Sequence, residues 1–104
     1  MLTVGIPADN PAAGDVLVTS TSVTTPRQYK VRITIASEVN VWTTVVHRRG
    51  GAALSSIFVP VVGEMVGPVE LYQTYFSVGD YVEIAVRAGV PTVTGTVQAS
   101  VELI

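Results

Sequence analysis

The side chains that could carry out chemistry are few in this sequence. The 104 residues include one histidine, His47, and no cysteine. A Ser–His–Asp arrangement would need His47, with Asp9, Asp15 or Asp80 as the residue that orients the imidazole. The sequence contains no G-x-S-x-G turn that would expose a serine nucleophile. We therefore predict that the chain is not an enzyme and has no catalytic residue.

Metal and cofactor sites have equally little support. Without cysteine, the ligands would have to be mainly carboxylates, which suit hard cations such as calcium. The acidic residues are scattered singly, and the closest pair, Asp80 and Glu83, flanks a predicted turn. No glycine-rich phosphate-binding motif is present. The sequence predicts neither a bound metal nor a cofactor.

The charged residues limit the kind of partner that the protein can bind. Six basic and eight acidic residues give a net charge of -2, which is too balanced for a nucleic-acid or anionic-membrane surface. Only 13% of residues are charged, about half the usual fraction of roughly 25%, and the mean hydropathy is +0.49. Part of the surface must then be apolar, which is typical of contact with other proteins. We expect a homo-oligomer, for instance a trimer, or a larger assembly.

The elements that must position these residues are β-strands. Val, Ile and Thr account for 39 of the 104 residues, and β-branched side chains favour strands over helices. Period-2 alternation recurs between turn residues, every 8 to 12 positions or so. We predict one all-β domain, an antiparallel β-sandwich of jelly-roll type with about seven or eight strands. The clearest predicted strands are 16–23, 29–36, 39–47, 54–62, 69–76, 81–88 and 92–103.

The first 15 residues differ in composition from the rest. They contain two prolines, three alanines and two glycines, which predicts an extended N-terminal arm (1–15) before the sandwich (16–104). The segment lacks the basic and apolar regions of a signal peptide, and no apolar run is long enough for a membrane helix. We expect a soluble protein without an export signal of its own.

Two groups of residues are candidates for contact with a partner. Residues 47–51 are predicted to form a loop that carries His47, Arg48 and Arg49, and arginines form bidentate pairs with carboxylates. The alternative for this group is a solvated hairpin tip. Pro7 and Pro11 are candidates because an extended arm can lie along a neighbouring molecule.

Two tyrosines offer a further alternative. Tyr72 and Tyr75 could form an aromatic platform for a carbohydrate, although core or interface packing is the commoner fate of such residues. A carbohydrate- or receptor-binding module therefore remains a candidate function.

Several segments resemble a known group of proteins. They read Tyr-x-Val-x-Ile-x-Ile at 29–35, His-Arg-Arg-Gly-Gly-Ala at 47–52, Val-Gly-Asp-Tyr-Val-Glu-Ile at 78–84 and Gly-Thr-Val-Gln-Ala-Ser-Val-Glu at 95–102. This series resembles the small β-sandwich accessory proteins of tailed-bacteriophage virions, over roughly residues 29–104. The arm matches no such pattern.

The resemblance implies a noncatalytic homo-oligomer that is bound in the virion and assembled in the host cytoplasm. The leading expectation is a head decoration or cement protein that stabilises the capsid by bridging subunits of the major capsid protein. The alternative within the same group is a tail, neck or fibre component. No functional residue carries over from the family, because the resemblance includes no active-site motif.

Overall fold

The strands form two antiparallel sheets that pack face to face. The computed structural model describes residues 1–62, 65–87 and 93–104. Sheet I has the order β1-β9-β4-β7, with the short β2 paired to another part of β9, and sheet II has the order β3-β8-β5-β6. The strands are β1 (Leu2–Val4), β2 (Ala8–Asp9), β3 (Val16–Thr19), β4 (Arg27–Ser37), β5 (Val41–Arg49), β6 (Ala52–Val61), β7 (Met65–Phe76), β8 (Tyr81–Val86) and β9 (Thr96–Leu103).

The strand order is that of a jelly roll. When the two-residue β2 is set aside, the first strand pairs with the last, and the pairing continues inward. β1 pairs with β9, β3 with β8, β4 with β7 and β5 with β6. This nested arrangement defines the eight-stranded jelly roll. The prediction of an all-β, jelly-roll-like sandwich is confirmed, and the described residues contain nine strands.

The core lies between the inner faces of the two sheets. The alternation in β4 buries Tyr29, Val31, Ile33 and Ile35, as its pattern predicts. β8 and β9 follow the same rule, because every second side chain in each of them is buried. The alternate residues of β9, from Val97 to Leu103, complete sheet I's side of the core. This interior consists almost entirely of β-branched and aliphatic side chains, which suit a pleated surface.

The loop predicted at residues 47–51 is wrong for its first three positions. β5 continues through Arg49, because Arg48 pairs with Ala53 on one side and with Tyr81 on the other. Only Gly50 and Gly51 make the turn, with φ angles of 59° and 84°. Positive φ favours glycine, so the glycine pair alone marks the end of the hairpin.

The turn predicted between strands 54–62 and 69–76, over residues 63–68, is also too long. β7 already begins at Met65, which pairs with Ala36 of β4. Gly67 has a φ of 91°, and the register of the β4–β7 pair shifts in this region. A β-bulge can accommodate a Gly-Pro sequence inside a strand. Residues 63–64 lie outside the described residues, as does the turn predicted at 89–91 between strands 81–88 and 92–103.

Residues 1–10 of the predicted extended arm (1–15) lie along the edge of sheet I, whereas Gly14 and Asp15 form backbone bonds with Val86 of β8 in sheet II. β1 and β2 both pair with β9, and the N–H of Gly5 donates to the carbonyl of Ala99 at 2.9 Å. A Cβ atom on Gly5 would lie 2.8 Å from that oxygen and would overlap the carbonyl of Leu17. The arm therefore approaches β3 and β9 more closely than a side chain at residue 5 would allow.

Candidate functional site

A buried carboxylate joins the end of β5 to the turn between β7 and β8. Asp80 is fully buried and accepts hydrogen bonds from three residues. The Nε2–H of His47 donates to Oδ2 at 2.9 Å, and Arg49 donates from Nε to Oδ1 at 3.0 Å and from Nη2 to Oδ2 at 2.9 Å. The backbone N–H of Ser77 adds a bond of 3.0 Å. The carboxylate is thus neutralised and hydrogen-bonded, as a buried charge must be.

These contacts favour the ionised form of Asp80. The hydrogen bonds from Arg49 lower the pKa of the carboxyl group to about 2, against the opposing effect of burial, and His47 and the N–H of Ser77 lower it further. In return, the carboxylate raises the pKa of Arg49. Asp80 is therefore an anion at pH values well above 2.

The His47–Asp80 pair has the geometry of a structural contact. The imidazole is buried and stacks on Phe76 with ring centroids 4.0 Å apart. In residues 1–62, 65–87 and 93–104, no hydrogen bond joins a serine hydroxyl to His47. His47 also has almost no exposed surface to offer to a partner, in contrast to its predicted position in a loop.

Arg48 and Arg49, the other predicted docking residues, are already paired within the chain. Arg48 donates to Glu83 at 3.2 Å and to the carbonyl of Gly51 at 2.9 Å. Arg49 is held by Asp80, although it lies at the surface. A partner carboxylate would have to compete with these internal contacts.

Tyr72 and Tyr75 do not form a platform, because they point to opposite faces of sheet I. Tyr72 pairs with the buried Val31, whereas Tyr75 pairs with the exposed Gln28. The Tyr72 hydroxyl is buried without a hydrogen bond of normal geometry. Burial raises its pKa to about 12, and nearby Ser55 offsets part of that effect. Only Tyr75, at 49% exposure, is available at the surface.

The prolines of the arm also differ from one another. Pro7 is exposed, whereas Pro11 is buried. Pro7 can therefore contact another molecule, while Pro11 packs within this one.

A different aromatic pair lies on the outer face of sheet II. Trp42 of β5 and Phe58 of β6 are each 39% exposed, and their rings stack with centroids 5.1 Å apart and planes 8° apart. The guanidinium carbon of Arg87 lies 4.5 Å from the Phe58 ring centroid. The sequence analysis missed this pair, because the two residues meet only through the β5–β6 register, in which Thr44 pairs with Phe58.

The exposed large apolar side chains are concentrated at two opposite edges of the sandwich. The arm edge, where β1 lies beside β3, exposes Met1, Leu2, Val4, Ile6 and Val16. The hairpin edge, formed by β6 and β7, exposes Leu54, Phe58, Val62, Met65 and Val69. The jelly-roll order places these two strand pairs at opposite ends of the sheets. Each edge thus carries an apolar surface of its own.

The comparisons with known proteins found no match, so the function has to be inferred from the fold and from these surfaces. No family model, no curated protein and no solved structure matches the chain. Among the described residues, no group of three potential ligands could hold a metal ion. No helix in that part of the chain is long and apolar enough to cross a membrane.

Proposed function

We propose that this protein is a noncatalytic structural component of a virion, a decoration or cement protein that binds the major capsid protein of a tailed bacteriophage. The observation that carries the proposal is the presence of apolar surface at both edges of one small sandwich. A single patch serves one contact, whereas two opposite patches let one molecule touch two neighbours at once. Such bivalent contact multiplies weak interactions.

The fold is compatible with this role. Jelly rolls form viral capsid domains, and they also form lectin domains and cupins. Function has to be argued from sites rather than from the fold. The arm edge and the hairpin edge, together with the low charge, favour a protein that works while bound to other proteins.

The carbohydrate-binding alternative loses its proposed platform. Tyr72 and Tyr75 face opposite sides of the sheet, and the Phe58 ring is already engaged by Trp42 and Arg87. The two tyrosines therefore provide no shared aromatic face on which a sugar could stack. We therefore do not propose a carbohydrate-binding function.

The test begins with virions of the phage whose genome encodes this chain. We expect the protein to be present in purified particles in hundreds of copies, as measured by quantitative mass spectrometry. A few copies to a few dozen would favour the tail, neck or fibre alternative. Absence from purified particles would contradict both forms of the proposal.

A binding experiment then tests the edges. Recombinant protein is sedimented with particles that lack it, and the bound fraction is compared among variants. We expect Leu2→Ser/Ile6→Ser at the arm edge and Leu54→Ser/Val62→Ser at the hairpin edge each to weaken attachment at least tenfold. Val78→Ser, an exposed apolar position in the β7–β8 turn and outside both edges, is the matched control. Full attachment of both double variants would remove the two edges from the mechanism.

A further inference from the structure

The four edge strands of the sandwich are protected to very different degrees. β1 and β3 are short, with three and four residues. The longer β7 carries the charged Glu70 and register shifts against β4. β6 has ten residues and no charged side chain. Short strands, charges, prolines and bulges are the usual means of preventing an edge from pairing with another chain. β6 has one bulge, at Leu54, and one proline, Pro60, and the segment between them, residues 55–59, has none of these features.

Pro60 shows which backbone groups of β6 face its open side. Proline has no N–H, so the Trp42–Pro60 pair must be one that exchanges no hydrogen bonds. The carbonyl of Trp42 accordingly accepts from Arg87 on the β8 side. Since the two kinds of pair alternate, Ser56 and Phe58 also direct their N–H and C=O groups away from β5, toward the open edge.

We propose that β6 pairs antiparallel with β6 of a second copy of this chain, around a twofold axis beside Ile57. In this register Ser56 lies opposite Phe58 of the partner subunit, and Phe58 lies opposite Ser56 of the partner subunit. Each of the two pairs exchanges two hydrogen bonds, so all the free groups of these residues are satisfied. The two copies of sheet II become one continuous eight-stranded sheet.

The side chains suit a second copy. A twofold contact places each residue near its own equivalent, and an uncharged strand brings no like charges together. Ile57 would face Ile57 of the partner subunit on the inner face of the joined sheet. On the outer face, the Trp42–Phe58 pair would lie beside the same pair of the second copy. Leu54 is the extra residue of a bulge, because it lies between Ala53 and Ser55 in the β5–β6 register. It is outside residues 56–58, which would pair with the second copy.

The rest of the hairpin edge adds to the contact. A stable dimer buries roughly 1,600 Å² in total, more than two short strand segments supply. Met65 and Val69 of β7 are exposed on this same edge, and the pairing brings them toward the second molecule. A second copy of this chain is therefore the partner that fits the free hydrogen-bonding groups, the absence of charge and the exposed apolar side chains of the hairpin edge.

The first test measures the mass of the protein in solution by sedimentation equilibrium. We expect a dimer for the wild type and a monomer for Ser56→Pro, which removes an N–H that the β5–β6 ladder does not use. Ser56→Ala keeps that N–H and should remain dimeric. Circular dichroism checks that each variant is folded. A wild-type protein that stays monomeric at high concentration, or one that forms a trimer only, would overturn the proposal.

The second test does not depend on the folding of a proline variant. The chain has no cysteine, so Ile57→Cys introduces a single thiol at the proposed axis. Directly opposed residues in such a pair have Cα atoms about 4.5 Å apart, which is within disulfide range. We expect rapid oxidation to a disulfide-linked dimer, and at least tenfold slower cross-linking for Tyr75→Cys on sheet I.

Equal rates of cross-linking for the two cysteines would contradict the twofold axis at Ile57. Both experiments use the free protein without any particle. A negative result therefore rejects the β6 contact alone, whereas absence of the protein from virions rejects the proposed function alone.

Discussion

At the scale of single residues, the most constrained group is the Asp80 carboxylate. It connects the last residues of β5 with the β7–β8 turn, because His47 and Arg49 reach it from one side and the N–H of Ser77 from the other. Two backbone bonds hold the same turn to Val23, whose N–H donates to the Asp80 carbonyl and whose carbonyl accepts from Gly79. The Asp80 side chain and the backbone of its turn together join three segments that are distant in sequence.

Replacing this carboxylate should destabilise the fold. We expect Asp80→Asn to lower the free energy of unfolding by about 1–3 kcal/mol, since the buried donors around it lose charged hydrogen bonds. Urea denaturation monitored by circular dichroism measures the change. Asp15→Asn, at an exposed carboxylate that accepts from the N–H of Ala12, should cost clearly less. Equal losses in the two variants would contradict a special role for Asp80.

The same carboxylate predicts how stability depends on pH. Its pKa of about 2 in the fold lies below the ordinary aspartate value of 3.8, so the unfolded chain binds more protons between these values. The stabilisation is therefore present above about pH 4 and is lost as the pH falls toward 2. We expect the Asp80→Asn variant to lack this component, and its unfolding free energy to depend less steeply on pH in that window. A wild-type slope retained by the variant would exclude Asp80 as its source.

Contacts between individual side chains were the feature that the sequence predicted least well. Asp80 was considered as a partner for His47, but 33 positions separate them and no local pattern selects it over Asp9 or Asp15. Trp42 and Phe58 were missed for the same reason, since their contact depends on the register of a hairpin. Alternation along a strand reports which face a side chain occupies, and it contains no information about which side chain lies opposite.

At the scale of elements, the arm owes its position to a glycine. Gly5 lies between β3 and β9 where a Cβ would meet backbone atoms of both strands. β1 and β2 flank this point and pair with β9 on either side of it. The close approach therefore determines whether the arm can complete sheet I.

A single methyl group should displace the arm. We expect Gly5→Ala to loosen residues 1–9 and to increase hydrogen exchange of the amides that pair β1 with β9 at least tenfold, while the core strands keep their protection. Ile6→Ala is the matched control, because the adjacent side chain is 84% exposed. Unchanged exchange in Gly5→Ala would show that the backbone can move to accommodate the Cβ.

Strand positions were largely predictable, whereas strand ends were not. β8 and β9 follow a local alternation that matches their burial, because the period of two reflects one buried face. β5 extends two residues past its predicted end, and β7 begins four residues before its predicted start. In both cases a neighbouring strand continues the ladder beyond the point where the local sequence contains turn residues.

At the scale of the whole molecule, the apolar surface is divided between two opposite edges. Fourteen large hydrophobic side chains are exposed in the described residues, and ten of them belong to the arm edge or the hairpin edge. Charged residues make up only 13% of the chain. Contacts through these edges should therefore be dominated by burial of apolar surface rather than by ion pairs.

The response of attachment to salt distinguishes these two kinds of contact. We expect the fraction of protein bound to its particle to stay constant or to rise when sodium sulfate is increased to about 0.5 M, since such salts strengthen apolar burial. Attachment through Arg48 and Arg49 would weaken instead, because salt screens exposed charges. Sodium chloride at equal ionic strength is the control, and a steep loss of binding in both salts would contradict an apolar contact.

The nested strand pairing also determines when the molecule can be completed during synthesis. The β5–β6 hairpin needs only neighbouring residues, whereas β1 must wait for β9, which is made almost a hundred residues later. Closing longer loops costs more entropy and slows folding. A ribosome-bound chain that has not yet released β9 therefore leaves β1 and one side of β4 without their neighbour, so sheet I closes only after residues 96–103 have emerged.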